Sequence, residues 1–312
     1  MVKKRRLLVL VTMIFGLLFV SACSSGTTDS SSSEETTEAS MVETGVNEYF
    51  ANMPDDIYKI SQTDFVDMVK AGDDMTIIDI RSADAYAEGH VKGALSMPWG
   101  TELSANIENI PTDKPVMIYC VTGQTAGQTV MLFNLAGFDA KSVNLGYKLG
   151  ISQVEGVDEI IETTANDFDT SIQTEIDPEI LEAINSYYAG LADVADTTYA
   201  NYKITEDDAY SMLMAGDDTI QFLDIRSADD YAAGHIEGAM NIPFGAGMEV
   251  EFSTLPMDKT IIVYCYTGQT AGQTVAGLRL LGYDAVSLNS GAGTDATGTA
   301  GWTNKGYPLV TE

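Results

Sequence analysis

Cysteine, histidine and positive charge are all scarce in this sequence. Three cysteines and two histidines stand among 312 residues, and 16 Lys+Arg face 46 Asp+Glu. So few cysteines cannot make a disulfide framework. His90 and His235 have no second histidine or cysteine cluster beside them, so nothing calls for a metal, and nothing calls for an organic cofactor. The shortage of cations argues against nucleic acid or an anionic lipid surface as a partner, because both need clustered positive charge. The acidity reads more simply as a well-solvated surface. Hydrophobic residues still make up 45% of the chain, enough for the cores of two ordinary domains.

Part of the positive charge lies at the start, in Lys3, Lys4, Arg5 and Arg6, ahead of an apolar run from Leu7 to Val20. That run has the length of a secretory signal core and is too short for an ordinary membrane span. It ends in Val20-Ser21-Ala22-Cys23, which resembles the bacterial lipobox. The resemblance implies that residues 1–22 are a lipoprotein signal peptide. Cys23 would then be the lipid-modified first residue of an extracytoplasmic chain anchored to the bacterial cell membrane. A plain signal peptide with an incidental cysteine is the alternative. Residues 23–45, rich in Ser, Thr and Glu, read as a disordered tether.

Beyond the tether the chain repeats itself. DIRSADAYAEGHVKGALSMPWG, from Asp79 to Gly100, matches DIRSADDYAAGHIEGAMNIPFG, from Asp224 to Gly245. The offset of 145 holds without a gap to Gly146 and Gly291. A period this long means two copies of a whole domain. The expected division is residues 46–165, a linker at 166–185, and residues 186–312. In the first copy Ser61 can cap a helix through Lys70, with Gly72 past its end. Met75–Ile80 and Pro115–Tyr119 are short apolar runs of the kind buried on both faces of a sheet. Helices are expected at Ala83–Glu88 and Ala126–Ala136, and further strands at Ala94–Met97 and Ala140–Asn144. This alternation predicts an α/β fold, each copy a parallel sheet with helices on both faces. In such sheets reactive groups gather beyond the carboxyl ends of the strands. Asp79 and Cys120 should therefore share one rim, and Asp224 and Cys265 the corresponding rim.

From each of these cysteines onward, ten of eleven residues are identical: CVTGQTAGQTV at Cys120 and CYTGQTAGQTV at Cys265. A cysteine that leaves a buried strand, enters a tight loop and precedes a helix sits where backbone N–H groups converge. Those donors and the helix dipole favour an anion, including a thiolate. With D-x-R…G-H-x-x-G-A…P and then C-x-x-G-x-x-A, occurring twice in order, the chain resembles a tandem rhodanese. The closing GWTNKGYPLV, Gly301 to Val310, also resembles the end of that family; the first copy lacks its tryptophan and proline.

The resemblance implies two rhodanese-like domains and a sulfurtransferase of the thiosulfate type. Sulfane sulfur from thiosulfate, a persulfide or a polysulfide would pass through a cysteine persulfide to a thiol or cyanide acceptor. The catalytic cysteine maps onto Cys120 and Cys265. The substrate loop maps onto Val121, Thr122, Gly123, Gln124 and Thr125, and onto Tyr266, Thr267, Gly268, Gln269 and Thr270. Many family members have an arginine at the loop's sixth position, where Thr125 and Thr270 stand; its loss weakens the case for thiosulfate. It also argues against the related phosphatases, whose longer loop needs that arginine. Familiar tandem members often keep only the second cysteine, whereas both are present here.

Duller readings accompany these residues. Thr125-x-x-Gln128 and Thr270-x-x-Gln273 fit helix capping boxes. His90 and His235 fit rings that cap carbonyls at helix ends. Arg81 and Arg226 fit structural ion pairs with Asp84 and Asp229, and Asp79 and Asp224 fit loop orientation better than proton transfer. A non-catalytic persulfide carrier or binding module at the cell envelope is the alternative function, and a thiol redox sensor a third.

Overall fold

The computed structural model describes residues 39–311. The signal segment, Cys23 and most of the expected tether lie outside the described residues. Where description begins, the tether expectation needs correcting. Helix α1 (Met41–Ala51) takes in the last five residues assigned to the tether, because Ser40 caps it by accepting the Glu43 N–H at 3.0 Å. It also buries Val42, Val46, Tyr49 and Phe50. An apolar face with this spacing outweighs the low-complexity run before it.

The first repeat continues through β1 (Lys59–Ile60), α2 (Gln62–Ala71), β2 (Thr76–Asp79), α3 (Ala83–Glu88), β3 (His90–Val91) and β4 (Ala94–Ser96). It then passes through α4 (Thr101–Ala105), β5 (Val116–Tyr119), α5 (Gln124–Leu135), β6 (Ala140–Val143) and β7 (Ile161–Glu162). The expected caps of α2 are present: Ser61 at the start and Gly72, in the left-handed conformation, at the end. Helices α6 (Pro178–Ala189) and α7 (Leu191–Val194) lead into the second repeat. Its elements are β8 (Lys203–Ile204), α8 (Glu206–Ala215), β9 (Ile220–Asp224), α9 (Ala228–Ala233), β10 (Met240–Asn241), β11 (Thr260–Tyr264), α10 (Gln269–Leu280) and β12 (Ala285–Leu288).

The two sheets have one topology. The first runs β1-β6-β5-β2-β4 and the second β8-β12-β11-β9-β10, with every neighbouring pair parallel. Successive residues along β2 feed opposite faces, Ile77 into an outer core and Ile78 into an inner one. The outer cores are separate, but the inner core is shared: Ile118 and Val130 of the first repeat belong to one cluster with Val263 and Val275 of the second.

The shared core is organised by α5 and α10, which cross where both begin. A Cβ placed on Gly127 would lie 2.1 Å from the Gln269 carbonyl oxygen, and one on Gly272 would lie 2.3 Å from that of Gln124. Only glycine permits this approach. The lead-in helices are exchanged across the same boundary. Tyr49 of α1 donates to Gln273 of α10 at 2.6 Å, and Tyr187 of α6 donates to Gln128 of α5 at 2.5 Å. Helix α6 thus fills part of the expected linker with a packed arm, burying Ile180, Ile184, Tyr187 and Tyr188.

Candidate active sites

Strands β5 and β11 deliver Cys120 and Cys265 to the carboxyl edges of their sheets. Strand β5 is apolar and fully buried, and β11 is so from Ile261 onward, so each chain segment leaves its apolar core where the cysteine stands. Each following loop turns into a helix through a glycine, Gly123 at φ 93° and Gly268 at φ 89°. These glycines are the helix N-caps, and their N–H groups point back at sulfur. Gly123 N donates to Cys120 Sγ at 3.0 Å, and Gly268 N to Cys265 Sγ at 3.1 Å. The thiols are 4% and 3% exposed. Sulfur at the start of a twelve-residue helix, already accepting an amide hydrogen, is in surroundings that favour negative charge.

Each sulfur opens onto a cavity. Around Cys265 it measures about 510 Å³ and is lined by Ile225, Phe244, Tyr266, Thr267 and Thr270 of the second repeat. The first repeat contributes Lys59 to its wall. Around Cys120 the cavity is about 180 Å³, lined by Arg81, Trp99, Val121, Thr122 and Thr125, and the second repeat contributes Asn201 and Lys203. Trp99 Nε1 donates to Asn201 Oδ1 at 3.1 Å and narrows this site. Although acidic residues dominate the chain, neither cavity is lined by a carboxylate.

The expected site residues divide accordingly. Val121, Thr122 and Thr125, with Tyr266, Thr267 and Thr270, face the cavities. Gln124 and Gln269 turn away from them into the boundary between repeats. Gln124 Nε2 reaches Ser287 Oγ at 2.5 Å and the Leu288 carbonyl at 3.1 Å, while Gln269 Nε2 reaches Ser142 Oγ at 2.7 Å and the Val143 carbonyl at 3.2 Å. The capping boxes are not formed. Glycine occupies the N-cap, so Thr125 and Thr270 lie inside the helices, and Gln128 and Gln273 are free to bind the opposite repeat.

Asp79 and Asp224 end their strands on the cysteine rim, but their acceptor oxygens are committed. Arg81 binds Asp79 through Nε at 3.0 Å and Nη2 at 2.6 Å, then reaches the Gly89 carbonyl at 2.7 Å. Arg226 repeats this with Asp224 and Gly234. The partners are thus Asp79 and Asp224 and not Asp84 and Asp229, because two-residue spacing lets the guanidinium fold back over its own strand end. Burial acts most strongly against the Arg81 charge, but the Asp79 hydrogen bonds and charge, with the charges of Tyr119 and Tyr147, together outweigh it and raise its pKa. His90 and His235 do meet helix carbonyls, of Tyr86 at 2.8 Å and Tyr231 at 3.0 Å, and their rings stack on those tyrosines.

Lys59 and Lys203 escaped the sequence reading. Their signal was Tyr-Lys-Ile repeated just before Ser61 and Thr205, upstream of the long match. Among the described residues neither ammonium has an ion-pair or hydrogen-bond partner. Burial lowers the pKa of both, opposed by the charge of Cys265 for Lys59 and of Cys120 for Lys203.

A parallel α/β fold with a thiol at the start of the helix after a central strand, present twice, defines a tandem cysteine-loop protein. Residues 61–152 and 205–294 match the rhodanese-like domain, and the chain belongs to that family. It is 29% identical over 105 residues to a sulfurtransferase of Allochromatium vinosum, covering 34% of this chain and 92% of the relative. Among solved structures it is similar to a rhodanese-like domain protein of Staphylococcus aureus at 24% identity and a TM-score of 0.30, covering 35% of this chain and 97% of the other. It is also similar to a 3-mercaptopyruvate sulfotransferase of Escherichia coli at 18% identity and a TM-score of 0.34, covering 75% and 98%.

Proposed function

We propose that this chain is a sulfurtransferase that carries sulfane sulfur on Cys120 and Cys265. The observation that supports this most directly is the pairing of each Sγ with its loop N–H above a cavity free of carboxylates. With thiosulfate, the thiolate attacks the outer sulfur, a Cys–S bond forms, the S–S bond breaks, and sulfite leaves with the electron pair. The persulfide anion that remains takes the thiolate's place under the same amide. An acceptor thiolate or cyanide then attacks the terminal sulfur, regenerating the cysteine thiolate and releasing a persulfide or thiocyanate. An organic persulfide donor follows the same course with a thiolate as leaving group, and a polysulfide with a polysulfide anion one sulfur shorter.

Reduced protein incubated with thiosulfate or polysulfide and weighed intact should gain one sulfur atom per working cysteine. Cyanide should remove it as thiocyanate. Cys120→Ser and Cys265→Ser assign the sites separately. If no cysteine gains sulfur from either donor, the reading is wrong.

The lipobox-like string at Cys23 supports a location outside the cytoplasm, with the chain held at the membrane by lipid. Mass analysis of the N-terminal peptide from native membranes tests this; an unmodified Cys23 there would overturn it.

A further inference from the structure

The rhodanese loops of this chain have threonine at Thr125 and Thr270, so neither loop supplies a cation of its own. A donor such as thiosulfate brings negative charge to a thiolate that is itself negative, and the site needs a positive group to hold them together. We propose that Lys59 and Lys203 are these groups, supplied crosswise: Lys59 of the first repeat binds the anionic donor at Cys265, and Lys203 of the second binds it at Cys120. The proposal rests on the sulfur-transfer reading and adds to it the charge class of the donor and the source of its counter-charge.

Three observations carry it. Each lysine lines the cavity of the other repeat's cysteine, and no carboxylate shares either lining. An ammonium kept part-buried without a partner, in a chain with far more acids than bases, is costly unless an anion visits it. The backbone before each lysine is also bent in the same uncommon way. Ile57 and Tyr58 have φ of 50° and 55°, and Asn201 and Tyr202 have φ of 60° and 51°. Consecutive left-handed residues without glycine are strained, most of all at the β-branched Ile57.

The strain is held by the opposite repeat. Gln273 Nε2 donates to the Ile57 carbonyl at 3.2 Å, and Gln128 Nε2 to the Asn201 carbonyl at 3.3 Å. Gln273 lies on the helix that begins at the Cys265 loop, and Gln128 on the one that begins at the Cys120 loop. One helix thus fixes both a cysteine loop and the bend that presents the opposing lysine. Gln128 and Gln273 are positioning residues in this arrangement.

Alkylation reads the charge independently of sulfur transfer. The full chain is treated with iodoacetate, an anion, or iodoacetamide, its neutral counterpart, and the rate at each cysteine is followed by peptide mass. Lys59→Met should lower the iodoacetate-to-iodoacetamide rate ratio at Cys265 about threefold to tenfold. The ratio at Cys120 in the same molecule reports whether the fold is intact. Lys203→Met should show the crossed result, and Lys→Arg at either position should retain the ratio. With thiosulfate, Lys59→Met should raise KM at Cys265 more than it lowers kcat, measured in Cys120→Ser protein. An unchanged ratio at Cys265, or a fall at both cysteines alike, overturns the crosswise assignment. The crossed ratio changes in the two Lys→Met variants, together with wild-type protein that takes no sulfur, would retain the anion sites and overturn the sulfur-transfer reading alone.

Discussion

Gln124 Nε2 lies 2.5 Å from Ser287 Oγ, and with its bond to the Leu288 carbonyl this contact ties the cysteine loop of the first repeat to the last strand of the second. Its counterpart is Gln269 with Ser142 at 2.7 Å, and Gln269 also accepts the Leu145 N–H at 3.1 Å. All these groups are buried, so removing the amide leaves polar atoms without partners. Gln124→Ala and Gln269→Ala should each cost about 1–3 kcal/mol, read as a lower urea midpoint. Because the inner core is continuous, each variant should still unfold in one transition by circular dichroism and tyrosine fluorescence alike. Separate transitions for the two repeats would contradict a shared core.

The glycines beneath that contact set how closely the helices cross. Gly127→Ala forces a Cβ toward the Gln269 carbonyl, which is backbone and cannot rotate aside. We expect destabilisation of about 1–3 kcal/mol from overpacking. Sulfur loading should fall at both cysteines, since each cavity includes residues of both repeats. A stability loss that leaves both loading rates untouched would show that the cavities do not depend on the crossing.

Much of this architecture was legible in the sequence, for identifiable reasons. Strand β5 is a uniformly apolar run, β2 carries paired isoleucines between Thr76 and Asp79, Ser61 and Gly72 bracket α2 with local signals, and the duplicated string fixed the topology twice. What escaped was everything decided across the boundary. Gln124 and Gln128 sit in a loop and helix start that look catalytic or capping when one repeat is read alone. Lys59 stands in a two-residue strand with no periodic signal, and its role depends on a cysteine more than two hundred positions away. Spacing shows what is near in sequence, whereas these contacts arise from docking two copies.

The part-buried lysines should show opposed effects on stability and activity. Burial lowers the folded-state pKa of Lys59 below its unfolded value. Between those two values the unfolded chain binds the extra proton, so stability attributable to Lys59 increases with pH there. Below the folded value both states are charged and the full penalty applies. Lys59→Met should therefore stabilise the protein near neutral pH by about 1 kcal/mol while weakening thiosulfate use at Cys265. Wild-type thiosulfate use should also decline on the alkaline side before the ordinary lysine range, as the ammonium loses its proton. A destabilised Lys59→Met protein would indicate that the side chain is held by packing alone.

The two cavities should prefer different acceptors. Around Cys265 there is space of about 510 Å³ beside Phe244, whereas around Cys120 there is about 180 Å³ beside the Trp99–Asn201 bridge. Cyanide fits either, but a tripeptide thiol such as glutathione fits the larger with much less rearrangement. In single-cysteine proteins, the ratio of kcat/KM for glutathione to that for cyanide should be higher at Cys265. Trp99→Ala removes both the indole and its bond to Asn201, and should raise the ratio at Cys120 about tenfold. The same substitution leaves Lys203 and Thr125 in place, so thiosulfate loading of Cys120 should change less than acceptor choice does. Equal acceptor ratios at the two cysteines before substitution would show that cavity size does not set selectivity.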